Sequence, residues 1–366
     1  MKKREKAIDF LVPVLSILLG FLISAIMIKA TGKSPVQAYK LLFQGSFGKS
    51  VYDFFTFKQS GEALLKGALL TFTGLSVAVA FKGGLFNIGA EGQFIVGAIV
   101  AAYLGFILNI SPWVNIPIIL ILVMLISGAY ATIAAFLKVK FGIHEVIITI
   151  MLNWIAIHLV ENWIVVGPFS VQKYIGTATS AAGTPNVQNT SRLLPLFSGT
   201  RLNASIFIAI VAVIIIYILL NKTVLGYEIQ ATGKNIKAAK YVGINVGKTM
   251  IISMFISGAL AGLGGACYVL GTEKHFPGVF PGGFGFDGIT MALIGGGTPF
   301  GTFFTSIFFG FVRAGATSMQ LMGVHKTFTD IIQGIATLFI AAQMIIRYFL
   351  MKIGRKEKGP IKVTGG

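Results

Sequence analysis

The sequence predicts an all-α, polytopic integral membrane protein with about ten transmembrane helices and both termini in the cytoplasm. Three observations predict it. Of the 366 residues, 55 % are apolar or aromatic and 45 are Gly, while only 11 % are charged. Soluble domains carry about 25 % charged residues, and the polar side chains present here could not cover so much apolar surface. Apolar runs long enough to cross about 30 Å of hydrocarbon recur along the chain, and mean hydropathy is +0.83. The 30 Lys and Arg against 12 Asp and Glu sit in the short links between those runs. That is the footprint of the positive-inside rule and a poor nucleic-acid surface. A soluble enzyme and a disordered chain are both excluded.

Taken in order, the runs fall at residues 8–30, 64–81, 89–110, 113–137, 146–166, 204–220, 250–270, 303–320 and 331–349. A tenth apolar piece, 287–297, is too short by itself. It either borrows the preceding Pro281-Gly282-Gly283 segment or re-enters the membrane without crossing. Charge selects the parity. The N-terminus (Lys2, Lys3, Arg4, Lys6) and the tail (Lys352, Arg355, Lys356, Lys358, Lys362) are both basic. With ten spans both lie inside, and the inner segments hold 17 of the bases against 9 outside. Nine spans would export the tail, against the rule. The first run is longer than the apolar region of a signal peptide and ends in Ile28-Lys29-Ala30 without a small-x-small site, so an uncleaved span is expected.

The whole chain, 1–366, then forms a single transmembrane domain. Outer loops cover 31–63 and 167–203, and an inner loop covers 221–248. The second outer loop is rich in Gly, Pro, Ser, Thr and Asn; the first holds an amphipathic stretch at 36–43 that could lie on the interface.

Catalytic chemistry is missing from the sequence. Gly247-Lys248-Thr249 is the nearest approach to a phosphate loop, but Val242 stands where the first glycine is needed and no strand precedes it. There is no HExxH, GxSxG or kinase signature. Cys267 has no partner for a disulfide, and the four histidines lack metal-like spacing. Any ATP hydrolysis therefore belongs to another chain.

Polar residues inside the spans are costly and so point to function. Glu91 stands three residues into the third span, between Asn87 and Gln93 and among Gly83, Gly84, Gly89 and Gly92. A helix that starts inside the membrane there would offer free N–H groups with Asn, Glu and Gln side chains, a set suited to a hydroxyl-rich ribose. The alternative is that Glu91 favours a helix N-terminus and caps backbone. On the fifth span, Trp154, His158 and Glu161 share one helical face, flanked by Asn153 and Asn162. That face offers a plane for stacking and donors for a base, or equally interhelical polar contacts. Asp287 and Arg313 could pair across helices. Gly258 and Gly262 form a small-xxx-small step for close helix approach.

Within the inner loop, Asn235 to Tyr241 can form two helical turns with Asn235 as N-cap and Gly243 as stop. Ala238 and Ala239 give it a side without bulk, and Lys234, Lys237 and Lys240 recur every third residue. Such a helix can seat in a groove of another protein, or it can be an ordinary basic loop.

Three stretches carry a family likeness. Ala238-Ala239-x-x-x-Gly243-Ile244-Asn245-Val246, followed by Ser257-Gly258-Ala259-Leu260-Ala261-Gly262-Leu263-Gly264-Gly265-Ala266, resembles the cytoplasmic loop and next span of bacterial ABC importer permeases. Gly84-Leu85-Phe86-Asn87-Ile88-Gly89-Ala90-Glu91-Gly92-Gln93 resembles the nucleoside and simple-sugar branch of the branched-chain-amino-acid-like permeases. Glu145-Val146-Ile147-x-Thr149-Ile150-Met151-Leu152-Asn153 is similar to the same branch, with His144 where that branch often has Asn. The likeness covers about 64–346.

This resemblance implies a permease subunit in the bacterial cytoplasmic membrane, with ATP and Mg used by ABC ATPase subunits and no cofactor in this chain. A second, different permease chain would complete the pore, and an extracytoplasmic binding lipoprotein would deliver solute. Coupling to the ATPase is carried onto Gly233, Asn235, Ala238, Ala239 and Gly243. Nucleosides are the expected solute, and simple sugars or a vitamin-like heterocycle are the alternatives. An ion-coupled secondary transporter would need acidic pairs at mid-membrane, and the few carboxylates here are scattered. A membrane-embedded enzyme would need a nucleophile–base constellation, which the sequence lacks.

Overall fold

The computed structural model describes residues 2–50, 53–54, 56–165, 183–197, 199–278, 280 and 282–342. The basic tail, the last part of the tenth predicted span (343–349), Pro281 and residues 167–182 of the predicted outer loop 167–203 lie outside the described residues. The described chain is helical: α1 (Lys2–Ala30), α2 (Pro35–Phe47), α3 (Ser60–Lys82), α4 (Ala90–Ile107), α5 (Pro112–Phe141), α6 (Glu145–His158), α7 (Ser205–Lys222), α8 (Val224–Lys234), α9 (Ile236–Tyr241), α10 (Val246–Tyr268), α11 (Phe284–Ile294), α12 (Pro299–Met319) and α13 (Thr327–Ala341). π-helical turns extend α6 over Leu159–Val165 and α10 over Val269–Glu273. Seven of these elements are long and apolar enough to cross a membrane: α1 from Leu11, α3, α4, α5, α6 with part of its extension, α7, and α10 with its extension. The shorter α11 and α13 are apolar too, and α12 has 21 residues.

Local signals set the ends. Pro112 occupies the first turn of α5, where its missing N–H costs nothing, and Gly142 closes that helix in the left-handed region with its N–H on the Lys138 carbonyl. The imidazole of His144 accepts the Val146 N–H at the start of α6.

Two compact units are present. One comprises Met1–Lys40 with Met319–Gly366. Within it Gly20 of α1 lies against the Ile332 backbone of α13, Ser24 donates to the Phe328 carbonyl at 3.4 Å, and the Tyr39 hydroxyl donates to the Phe21 carbonyl at 2.5 Å.

The other unit, Leu41–Ser318, holds the main core. Its centre is α10, packed on α3, α4 and α5. The small-xxx-small step works inside this chain: a Cβ on Gly258 would overlap Ala131 of α5, and one on Gly262 would overlap Ser127. On another side Gly97 of α4 meets the Gly262 backbone. Small residues allow the helix backbones to touch, which is how dispersion holds a bundle where solvent supplies no drive.

The piece 287–297 turns out to be half of a discontinuous crossing. The eleven residues of α11 rise about 16 Å. Gly288 lies against Thr73, half-way along α3, and the turn at Gly297 sits beside Lys82, where α3 ends. The chain before α11 comes from the opposite end of the bundle. There Phe276 and Thr184 exchange hydrogen bonds and Pro277 bridges to Gly183. Between the two ends stands Phe280, whose ring lies 5.4 Å from Tyr268 and 5.8 Å from Phe94. Of the two sequence options, this is the one in which the segment ahead of 284 completes the passage.

Candidate functional site

A helix that begins half-way through a bundle leaves its first N–H groups without partners and its positive dipole end without a counter-charge. In α11 those N–H groups converge on one side chain. Oε1 of Glu91 accepts the Gly283 N–H at 2.7 Å and Oε2 accepts the Gly285 N–H at 2.6 Å, and the residue is 1 % exposed. A Cβ on Gly285 would fall on the Glu91 backbone, so only glycine lets the two helix starts lie this close. The carboxylate thus caps the neighbouring half-helix rather than its own.

The start of α4 is tied down in a similar way from two other elements. Asn153 of α6 accepts the Gly92 N–H at 2.8 Å through Oδ1 and donates from Nδ2 to the Ile88 carbonyl at 2.9 Å. Asn87 and Gln93 form a reciprocal amide pair, at 2.8 and 3.1 Å, and Asn87 also donates to Ser257 of α10 at 2.8 Å. Ser257 donates a hydrogen bond to the Ser76 carbonyl at 2.6 Å. Asn87, Gln93, Asn153, Ser76 and Ser257 are all buried. Asn87, Glu91, Gln93 and Asn153 are therefore brought together around the two broken helix starts, with their polar atoms used within the chain.

Trp154 and His158 are placed elsewhere. Both point off the bundle, Trp154 being 55 % exposed, and their rings stack at 5.8 Å with 21° between planes. Asn162 meets the His158 ring at 3.4 Å. The π-helical turn that follows rotates Glu161 away from this pair, and its Oε1 accepts the Phe280 N–H at 3.1 Å.

At the other functional stretch, α8 and α9 form a helical hairpin. Asn235 caps α9 with Oδ1 accepting the Lys237 and Ala238 N–H groups at 3.0 and 3.1 Å. Gly243, at φ +87°, ends it while Ile244 N–H returns to the Ala239 carbonyl. The two alanines face opposite ways. Ala239 is 2 % exposed, packed with Ala80, Leu85, Val246 and Met250, whereas Ala238 is exposed. Gly233 lies against the backbone of Lys82 and Gly84, seating the hairpin on the end of α3. The outward surface carries Ile236, Lys237, Lys240, Tyr241 and Val242, Tyr241 being 93 % exposed.

Two charged pairs complete the unit. Lys138 and Glu145 meet at 2.7 Å across the α5–α6 link, and Glu145 also accepts the Phe86 N–H. Sequence reasoning passed over that pair, although opposite charges at the two ends of a short link were a usable signal. Arg313 and Asp287 pair at 2.5 Å, as the sequence allowed. Among the described residues no group of three His, Cys, Asp or Glu could hold a metal ion.

Comparison with known proteins accords with this architecture. Residues 61–346 match the family described as branched-chain amino acid transport system / permease component. The guanosine ABC transporter permease protein NupP of Bacillus subtilis is 35 % identical over 350 residues, covering 94 % of this chain and 97 % of that one. The nucleoside ABC transporter permease protein NupB of Lactococcus lactis is 33 % identical, covering 95 % of each. The glucose ABC transporter permease protein TsgB13 of Haloferax volcanii is 28 % identical, covering 97 % of this chain and 93 % of that one. No solved structure matches the chain. A helical bundle with a discontinuous crossing and full-length likeness to such permeases lead to one conclusion: the chain belongs to the branched-chain amino acid transport system permease family, as a multi-pass plasma-membrane subunit of an ABC transporter that relies on separate ATPase and substrate-binding subunits.

Proposed function

We propose that this chain forms one side of the solute passage in a nucleoside importer. The observation that carries the reading is the likeness to a guanosine permease over nearly the full length of both chains. Geometry supports it. Trp154 and His158 present stacked rings on an open face of α6, where a base can lie against an aromatic plane and hydrogen-bond to imidazole. Asn87, Glu91, Gln93 and Asn153 act behind that face by fixing the helix starts. The passage lies between this chain and a second, different permease chain, and a binding lipoprotein delivers solute from outside.

The α8–α9 hairpin faces the cytoplasm, where the positive-inside rule puts its lysines. ABC ATPase subunits grip the outward surface of α9 there, and ATP with Mg is consumed in those subunits. Gly233, Asn235, Ala239 and Gly243 hold the helix in shape, and Ala238 lies at the contact. Movement of the ATPase pair reaches the spans through α9, α10 and the end of α3.

Co-expression with its ATPase, partner permease and binding protein in cells without nucleoside uptake tests the reading. Labelled guanosine and uridine should accumulate only while the ATPase is active. Accumulation of glucose without nucleoside would favour the simple-sugar reading, for which the likeness to TsgB13 speaks. Concentrative uptake without any ATPase would make the chain a secondary transporter.

A further inference from the structure

The helix α12 packs on α3, with Thr302 and Ser306 against Gly74 and Ile307 against Gly67. Towards the Lys82 end, the α12 face at Thr302, Ser306 and Phe309 is buried, with Thr302 also against Gly295 in the turn that follows α11. The same helical face continues to Arg313 and Thr317, beyond the point where α11 begins, and there it opens. The side chain of Arg313 is 23 % exposed and that of Asp287 15 %, while Thr317 is exposed. Asp287 adjoins Gly288, which marks the half-way level of α3. The exposed phenyl groups of α12, at Phe300, Phe304 and Phe308, lie on the opposite side: nine residues separate Phe304 from Arg313, a half-turn at about 100° per residue.

An accessible guanidinium–carboxylate pair half-way along a membrane bundle is too costly to face hydrocarbon, so charged groups at such depth face water-filled cavities or the bundle interior. The Phe face of α12 suits lipid and the Arg313–Thr317 face suits water. At the same place the Arg313 guanidinium is held over Phe284 at 5.5 Å.

We propose that Arg313 and Asp287 form a solute-binding station in the notch above the N-terminus of α11, taking neutral, hydroxyl-bearing solutes. The proposal rests on the nucleoside reading and extends it to residues not counted in the path so far. Asp287 accepts hydrogen bonds from adjacent sugar hydroxyls, and Arg313 donates to carbonyl and ring-nitrogen acceptors of a base. The ion pair has no net charge, so a neutral nucleoside gains contacts at both groups, whereas a phosphorylated one would meet the Asp287 carboxylate.

The test uses the complete transporter in cells, with Cys267→Ser removing the chain's single, buried thiol. A charged thiol reagent added from outside should modify Thr317→Cys and spare Phe304→Cys, and saturating guanosine should slow the modification several-fold. Arg313→Met and Asp287→Leu should each raise the KM for guanosine on the order of tenfold. The exchange Asp287→Arg with Arg313→Asp should keep the assembly intact on gel filtration without restoring KM. An inert Thr317→Cys, or an exchanged pair that transports with wild-type KM, overturns the station. Protection of Thr317→Cys by glucose and not by guanosine leaves the notch standing and overturns the nucleoside reading.

Discussion

The Glu91 carboxylate and the Gly285 amide meet at 2.6 Å across 194 residues of sequence. One residue on the first turn of α4 thereby supplies the counter-charge that the start of α11 lacks. In transporters with broken helices, such dipole ends commonly face a solute's own anionic group. Here the protein fills the position itself.

Glu91→Leu should leave the Gly283 and Gly285 N–H groups bare in a buried site and cost about 3 kcal/mol or more. Glu91→Gln keeps one carbonyl acceptor and should cost about half as much. The thermal midpoint of the purified transporter should fall in that order; equal midpoints for wild type and Glu91→Leu would refute the cap.

Asn153 both donates and accepts, so neither function alone replaces it. Asn153→Ala should cost about 1–3 kcal/mol. Asn153→Asp should do no better, because it turns a carboxylate on the Ile88 carbonyl. Full stability of the Asp variant in a thermal melt would contradict the assigned amide orientation.

Ala238 and Ala239 separate docking from folding. Ala239→Glu places a charge among Ala80, Leu85 and Met250 and should abolish accumulation of folded protein. Ala238→Glu should leave the chain folded and weaken capture of the ATPase subunit in a pull-down. The reverse pattern would mean that α9 is turned over.

Asn235→Ala removes the cap of a six-residue helix, worth about 1 kcal/mol. Amide exchange at Lys237 and Ala238 should quicken, and ATPase stimulation by solute should drop while the spans stay protected. Unchanged exchange would show that packing alone holds α9.

Trp154→Ala should raise the nucleoside KM on the order of tenfold through loss of stacking. Its thermal midpoint should stay near wild type, since the ring is more than half exposed. A lowered midpoint with unchanged KM would assign the ring to packing.

Much of this was legible in the chain. Spans are set by runs of apolar residues, and the start and stop of α9 follow from Asn235 and Gly243 because capping is a property of adjacent residues. The roles of Asn87, Glu91, Gln93 and Asn153 were not legible to the same degree. Each could serve a solute or a backbone equally well by its own chemistry, and only the neighbour it meets decides. The opposed directions of Ala238 and Ala239 follow from how the hairpin seats on α3. The turn of Glu161 away from Trp154 and His158 follows from a π-helical turn that an ideal helical spacing does not contain.

By itself, then, the sequence determined that the chain crosses a membrane many times and carries a capped helix in its inner loop, since composition, hydropathy and capping act over a few neighbouring residues. The tertiary structure decided that the short segment at 284–294 is half of a broken crossing, and that Glu91 caps it. It also decided that Arg313 and Asp287 pair while staying partly exposed, because those facts depend on which distant helix lies alongside and how far it extends.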